Sequence, residues 1–201
     1  MTARVTPMAA LALIVGLAAG PALAGEPTEV MRERIDRVVK ALESDRSHAR
    51  QSIEQVAEET FDFTEMARRA LGPHWRERSP EERTEFTRLF REVLEDAYVG
   101  RIERYEGEKI VFAGESVDGP QATVKSRVIT RTGTEIPVDY RLHRVDGRWR
   151  VYDVVIEGVS LVANYRTQFN RIIQSGSYQD LVERMRRRAL GPADGGRRPR
   201  G

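Results

Sequence analysis

Up to about residue 108 the apolar positions recur at three- and four-residue steps, and from about residue 109 they recur at every second residue. The first period is that of an amphipathic helix and the second that of a strand with one buried face. Val30, Ile35, Val38, Val39 and Leu42 form one stripe, and Ile53, Val56 and Ala57 form a second after Asp45. Phe61-Asp62-Phe63-Thr64 opens a short helix that runs through Met66 to Leu71 and stops at Gly72-Pro73. Ser79, Pro80 and Glu82 then occupy the N-cap, first helical position and capping-box position of a long helix. Its stripe is Phe86, Leu89, Phe90, Val93, Leu94, Ala97, Tyr98, Ile102 and Tyr105, so an aromatic-rich face must be covered.

After Gly107 four strands are predicted: Lys109 to Ala113, Ala122 to Ile129, Ile136 to His143 and Arg148 to Ile156. The turns between them fall at Asp118-Gly119-Pro120, Thr132-Gly133 and Asp146-Gly147. The fourth strand is apolar on both faces and should be covered on both sides. Alternation puts Trp149, Val151 and Val155 on one face and Tyr152, Val154 and Ile156 on the other. Ser160 and Ser177 can cap two further helices, the first striped by Leu161, Val162, Tyr165, Phe169, Ile172 and Ile173. Helices, an antiparallel meander and two more helices make an α+β domain, with N-terminal helices and the long helix packed on a four-stranded sheet.

The N-terminus stands apart from this pattern. Arg4, the apolar run from Met8 to Ala19 and the triplet Ala22-Leu23-Ala24 read as a cleavable secretory signal over residues 1–24. The run is too short for the roughly 20 residues that a membrane span needs. The folded domain is then expected over residues 25–188, followed by a disordered Gly- and Arg-rich tail over residues 189–201. Of the 201 residues, 40% are hydrophobic and 32% charged, enough apolar material for a core. The 33 basic and 31 acidic side chains nearly balance, and the positive excess sits in the tail, so the body gives no reason to expect a nucleic-acid partner. With no Cys, there is no disulfide scaffold, thiol nucleophile or thiolate metal site.

No phosphate-cradling loop, nucleophile elbow, zinc-helix motif or paired His at helical spacing is present, so neither a catalytic residue, a metal nor a cofactor is expected. His143, beside Asp139 and Arg141, reads as part of an exposed charge ladder, with an acid/base pair as the alternative. The aromatic stripes read either as ordinary core or as the wall of a cavity held between helices and sheet, with tyrosines at its mouth.

Several strings carry a family resemblance: Phe61-Asp62-Phe63 with Ala70-Leu71-Gly72 and Trp75; Phe86 and Phe90 with Leu94 and Tyr98; and Trp149-Arg150-Val151-Tyr152-Asp153-Val154. The last continues into Ile156-Glu157-Gly158-Val159-Ser160, Asn164-Tyr165-Arg166 and Gln168-Phe169. Over roughly Val30 to Met185 the chain resembles the MlaC, or toluene-tolerance auxiliary, family of periplasmic phospholipid-binding proteins. The resemblance implies an NTF2-like-related fold with a lipid pocket and a soluble carrier that maintains outer-membrane lipid asymmetry. The implied partners are a phospholipid ligand, an outer-membrane lipoprotein-porin complex and an inner-membrane ABC transporter with a ring-forming lipid-binding subunit. On that reading the pocket wall is Phe86, Phe90, Val93, Tyr98, Tyr105, Val138, Tyr140, Tyr152, Val154, Tyr165 and Phe169. Arg166 is placed near the mouth or braced against Asp153. The competing readings are an NTF2-like small-molecule enzyme of the cell envelope, for which Asp153 or His143 would face the cavity, and a non-catalytic interaction module.

Overall fold

The computed structural model describes residues 26–44 and 48–190. The predicted signal segment and the tail beyond residue 190 lie outside the described residues. The chain forms helices α1 (Glu26–Ser44), α2 (Ala49–Thr60), α3 (Phe63–Leu71) and α4 (Pro80–Ile102), with a 3-10 turn at Gly72–Glu77 between the last two. Strands β1 (Lys109–Asp118), β2 (Gln121–Ile129), β3 (Glu135–Val145), β4 (Arg148–Ile156) and β5 (Val159–Ser160) follow, and then α5 (Leu161–Ser175) and α6 (Tyr178–Arg186). The sheet is antiparallel in the order β1-β2-β3-β4-β5. The fifth strand, too short to leave a periodic signal, takes the sheet beyond the four strands expected.

Local chemistry sets the boundaries. Ser79 Oγ accepts from Glu82 N at 3.2 Å and the Glu82 carboxylate accepts from Ser79 N at 2.8 Å, closing the capping box behind Pro80. Asp62, Ser160 and Ser177 cap α3, α5 and α6 in the same manner, each accepting from the third residue of its helix. At the β3–β4 hairpin Asp146 and Gly147 take φ of 48° and 76°, the left-handed pair that matches the strand twist.

Pairing across β3 and β4 shifts at one point: Arg141 faces Asp153 while Leu142 faces Val151, leaving Tyr152 as an extra residue. This bulge corrects the strict alternation expected of β4. Trp149 and Val151 before it, and Val154 and Ile156 after it, all join the apolar face made by Ala122, Val124, Val138, Tyr140 and Leu142. Tyr152 turns to the opposite face, edge-on to His143 and under the Arg69 guanidinium. Strand β4 is therefore covered on both sides, as its composition predicted.

Three cores result. In the first, Phe86, Phe90 and Val93 of α4 interlock with Tyr165 and Phe169 of α5 and with α3 and α6. In the second, Met31 and Ile35 of α1 cover the apolar face of the sheet. The third joins Leu42, Ala49, Ile53 and Val99 where α1, α2 and α4 meet. The backbone of α4 runs beside α2, α3 and α6 and its rings reach those of α5, whereas the sheet contacts α1, α2, α3 and α5. The aromatic stripe of the long helix thus lies against other helices and not on the sheet. Phe61 packs against both the helical core and the sheet core.

Candidate functional site: an apolar cleft beside the sheet

Side chains of the sheet core are fully covered near its centre, where Val124 and Leu142 have no exposed surface, and less so towards the ends of β2, β3 and β4. Val128, Ile136 and Ile156, which lie at those ends and share the inner face, are only half-buried. Ile35, Val38 and Val39 on α1 and Tyr98 on α4 are half-buried as well, and Ile102 at the end of α4 is 39% exposed. Apolar groups on α1, on α4 and on the inner face of the sheet are thus left incompletely covered.

Tyr140 shows what lies beside them. Burial pushes its phenol up to about 12 despite a hydrogen bond with Ser126, whose hydroxyl donates in turn to Val138 O at 2.8 Å. The residue is nevertheless only half-buried by surface area. The phenol end of this side chain is therefore desolvated while the residue as a whole keeps some exposed surface.

The apolar residues singled out by sequence are divided among the helical core, the third core and the two faces of the sheet. Phe86, Phe90, Val93, Tyr165 and Phe169 sit in the helical core, each 4% exposed or less, with ring centroids of Phe90 and Tyr165 5.1 Å apart. They fill space rather than line it. Tyr98 packs at the margin of that core and Tyr105 at the margin of the third. Val138, Tyr140 and Val154 share the inner face of the sheet, while Tyr152 is on the other face. Ile35, Val128, Ile136 and Ile156 belong with the sheet group but were not among those residues. The alternation that marks Val138 and Tyr140 runs on through Ile136, so that signal was available.

The polar candidates are engaged elsewhere. Asp153 is 3% exposed and accepts from Arg141 Nη1 at 3.0 Å, Ser160 Oγ at 2.6 Å and Val162 N at 3.1 Å. Its bracing cation is Arg141, not Arg166. Arg166 is exposed, and its stem crosses Gly72, with Cδ 3.4 Å from where a Cβ would stand. Gly72 also takes φ of 59°, so a side chain there meets both a close neighbour and a left-handed backbone. His143 is no member of an exposed ladder: its Nε2 lies 3.0 Å from Asp62 Oδ2. Among the described residues no group of His, Cys, Asp or Glu is arranged to hold a metal, and no helix is long and apolar enough to cross a membrane.

Comparison with known proteins places this geometry. The family model described as MlaC protein matches residues 28–187. Toluene tolerance protein ttg2D of Pseudomonas putida is 29% identical over 100 residues, 49% of this chain and 46% of that protein. The intermembrane phospholipid transport system binding protein MlaC of Haemophilus influenzae is 26% identical over 129 residues, 62% of this chain and 60% of that one. The chain thus spans about half the length of the curated relatives it matches. A solved structure of the phospholipid-binding protein from Ralstonia solanacearum, in complex with a phospholipid, shares the fold with a TM-score of 0.73 at 23% identity, covering 82% of this chain and 97% of that one. Because the family model covers the chain from α1 to the end of α6, the chain belongs to the MlaC family.

Proposed function

We propose that this protein is a periplasmic phospholipid carrier, released by cleavage of residues 1–24, that holds acyl chains against the inner face of the sheet. The observation that carries the reading is Tyr140, whose phenol is desolvated on the inner face of the sheet although the residue keeps some exposed surface. The acyl chains lie along Val128, Ile136, Val138, Tyr140, Val154 and Ile156, with Ile35, Tyr98 and Ile102 on the facing helices, and the head group stays in water. A phospholipid transport system binding protein among the relatives and a phospholipid complex of the same fold point to the same cargo.

Exposing two chains of about 15 methylenes each to water costs on the order of 24 kcal/mol, so unassisted passage between membranes is slow. A carrier replaces the bilayer interior with side chains for the length of the journey. Its partners at either end are an outer-membrane lipoprotein-porin complex and an inner-membrane ABC transporter with a ring-forming lipid-binding subunit, and its service is outer-membrane lipid asymmetry. The enzyme reading rested on Asp153 and His143, and both carry structural bonds instead.

Native mass spectrometry of the mature protein purified from periplasm without detergent tests the reading. A stoichiometric phospholipid adduct is expected. Folded, monodisperse protein without lipid, which also fails to extract lipid from vesicles, overturns it.

A further inference from the structure

The two edges of the sheet are treated differently. Along β4 the outer edge is met by β5 at one end and by Phe61 and Asp62 at the other, where Asp62 N donates to Val151 O at 2.8 Å. Strand β1 (Lys109–Asp118) pairs with β2 and with no other strand. A strand in an antiparallel ladder bonds to one neighbour through alternate residues, so its remaining N–H and C=O groups point outward. Among the described residues no backbone bond outside the ladder involves Lys109 to Asp118. Long edges are commonly blunted by a central Lys or Pro, and the stretch from Ile110 to Gly114 has neither. Two of the four exposed large hydrophobic side chains among the described residues stand on this strand, Val111 at 39% and Val117 at 52%.

Register with β2 shows which way each residue of β1 faces. Ile110, Phe112, Glu115 and Val117 stand opposite Val128, Ser126, Val124 and Ala122 on the inner face, and Lys109, Val111, Gly114, Ser116 and Asp118 take the outer face. Ala113 is the extra residue of a bulge. Two copies of a strand related by a two-fold axis pair antiparallel with like faces together. Full overlap of a regular ten-residue strand with its copy would set inner residues against outer ones. The bulge removes that conflict. At full overlap Ile110 meets Val117 and Phe112 meets Glu115 on the inner face, while Val111 meets Ser116 and Lys109 meets Asp118 on the outer. Lys109 and Asp118 are both exposed and have no ion-pair partner among the described residues, so the same register brings two unspent opposite charges together at each end.

We propose that β1 is a docking edge for a second copy of this chain, which joins the two five-stranded sheets into one through antiparallel β1–β1 pairing. The outward backbone groups of the strand supply the bonds, Val111 and Val117 supply apolar contact, and the Lys109–Asp118 pairs set the register. The inference does not depend on the cargo of the cleft.

Sedimentation velocity of the mature chain from micromolar to millimolar concentration tests the edge, and a reversible monomer–dimer equilibrium is expected. Lys109→Glu and Asp118→Lys each set like charges opposite one another twice and should weaken association about tenfold, whereas the double variant restores it. Because the chain has no Cys, single cysteines read the register. A mixture of Val111→Cys and Ser116→Cys protein should cross-link on mild oxidation, since facing Cα atoms about 5 Å apart suit a disulfide, and a mixture of Val111→Cys and Val117→Cys should not. All of these side chains are exposed, and circular dichroism verifies that the variants keep the fold. Association that both charge reversals leave unchanged, or cross-links without this preference of face, overturns the proposal. Protein that is monomeric at every concentration overturns it too and leaves an extended segment of another protein as the occupant of the edge.

Discussion

His143 Nε2 and Asp62 Oδ2 stand 3.0 Å apart although 81 residues separate them in the chain. The other oxygen of the same carboxylate accepts from Glu65 N at 2.9 Å and starts α3, while Asp62 N donates to Val151 O at 2.8 Å. One residue therefore caps a helix and ties it to two neighbouring strands, to β3 through its side chain and to β4 through its backbone. Asp62→Ala should cost about 1–2 kcal/mol from the cap alone. A double-mutant cycle with His143→Ala, followed by urea unfolding, should give a coupling of about 0.5 kcal/mol or more. Additive effects would make the His143 contact energetically silent.

Tyr98 and Phe169 separate lining from filling. Phe169 is 1% exposed within the helical core, so Phe169→Ala should destabilise by about 3–5 kcal/mol and lower lipid recovery only by lowering the amount of folded protein. Tyr98 is half-buried, so Tyr98→Asp should leave a folded protein that carries much less lipid. Native mass spectra and unfolding midpoints on both variants check the pair. Unchanged lipid content in folded Tyr98→Asp would remove that residue from the cleft.

Alkaline titration reads the burial of two phenols. The phenols of Tyr140 and Tyr178 are both pushed up to about 12, chiefly by burial. A folded value above the ordinary 10.0 means that the stabilising contribution is complete below pH 10 and is lost as pH rises through about 12. Tyr140→Phe should therefore reduce the loss of stability above pH 10. An ultraviolet titration in which all six tyrosines ionise near 10 would contradict the burial of Tyr140.

At the acid end the relevant carboxylates are Glu59 and Glu65. The Arg37 hydrogen bond holds Glu59 below the ordinary 4.5. Burial pulls Glu65 upward, but the hydrogen bonds from Arg68 and Arg69 together outweigh it and leave that group lowered too. Lowered folded values mean stability that is present above pH 4.5 and is lost as pH falls through the folded values. Glu59→Gln and Glu65→Gln should each flatten the acid limb of a stability-pH curve. Limbs parallel to the wild-type curve would show that these ion pairs add nothing, as some exposed pairs do.

Local rules made much of the fold legible. The capping strings at Ser79, Ser160 and Ser177 located helix starts correctly because a cap depends on residues within one turn. Periodicity marked which face of α4 is apolar, but a stripe does not say which partner covers it, and Phe86 and Phe90 proved to meet α5 rather than the sheet. The bulge at Tyr152 was hidden for a related reason. A strand apolar on both faces carries no alternation in which a slip could show, so the shared face of Val151 and Val154 follows only from their pairing with Leu142 and Tyr140. The contacts of His143 with Asp62 and of Asp153 with Arg141 and Ser160 depend on tertiary placement.

The helical core draws one group of its side chains from Met66 to Leu94 and the other from Val162 to Met185, with the whole meander between them. Each hairpin of that meander joins neighbours in sequence and can pair as soon as it is made. Phe86 and Phe90 have to wait for the last part of the chain to arrive. A nascent chain therefore carries a naked aromatic helix until synthesis is almost over. Loss of α5 and α6 would leave that surface permanently sticky.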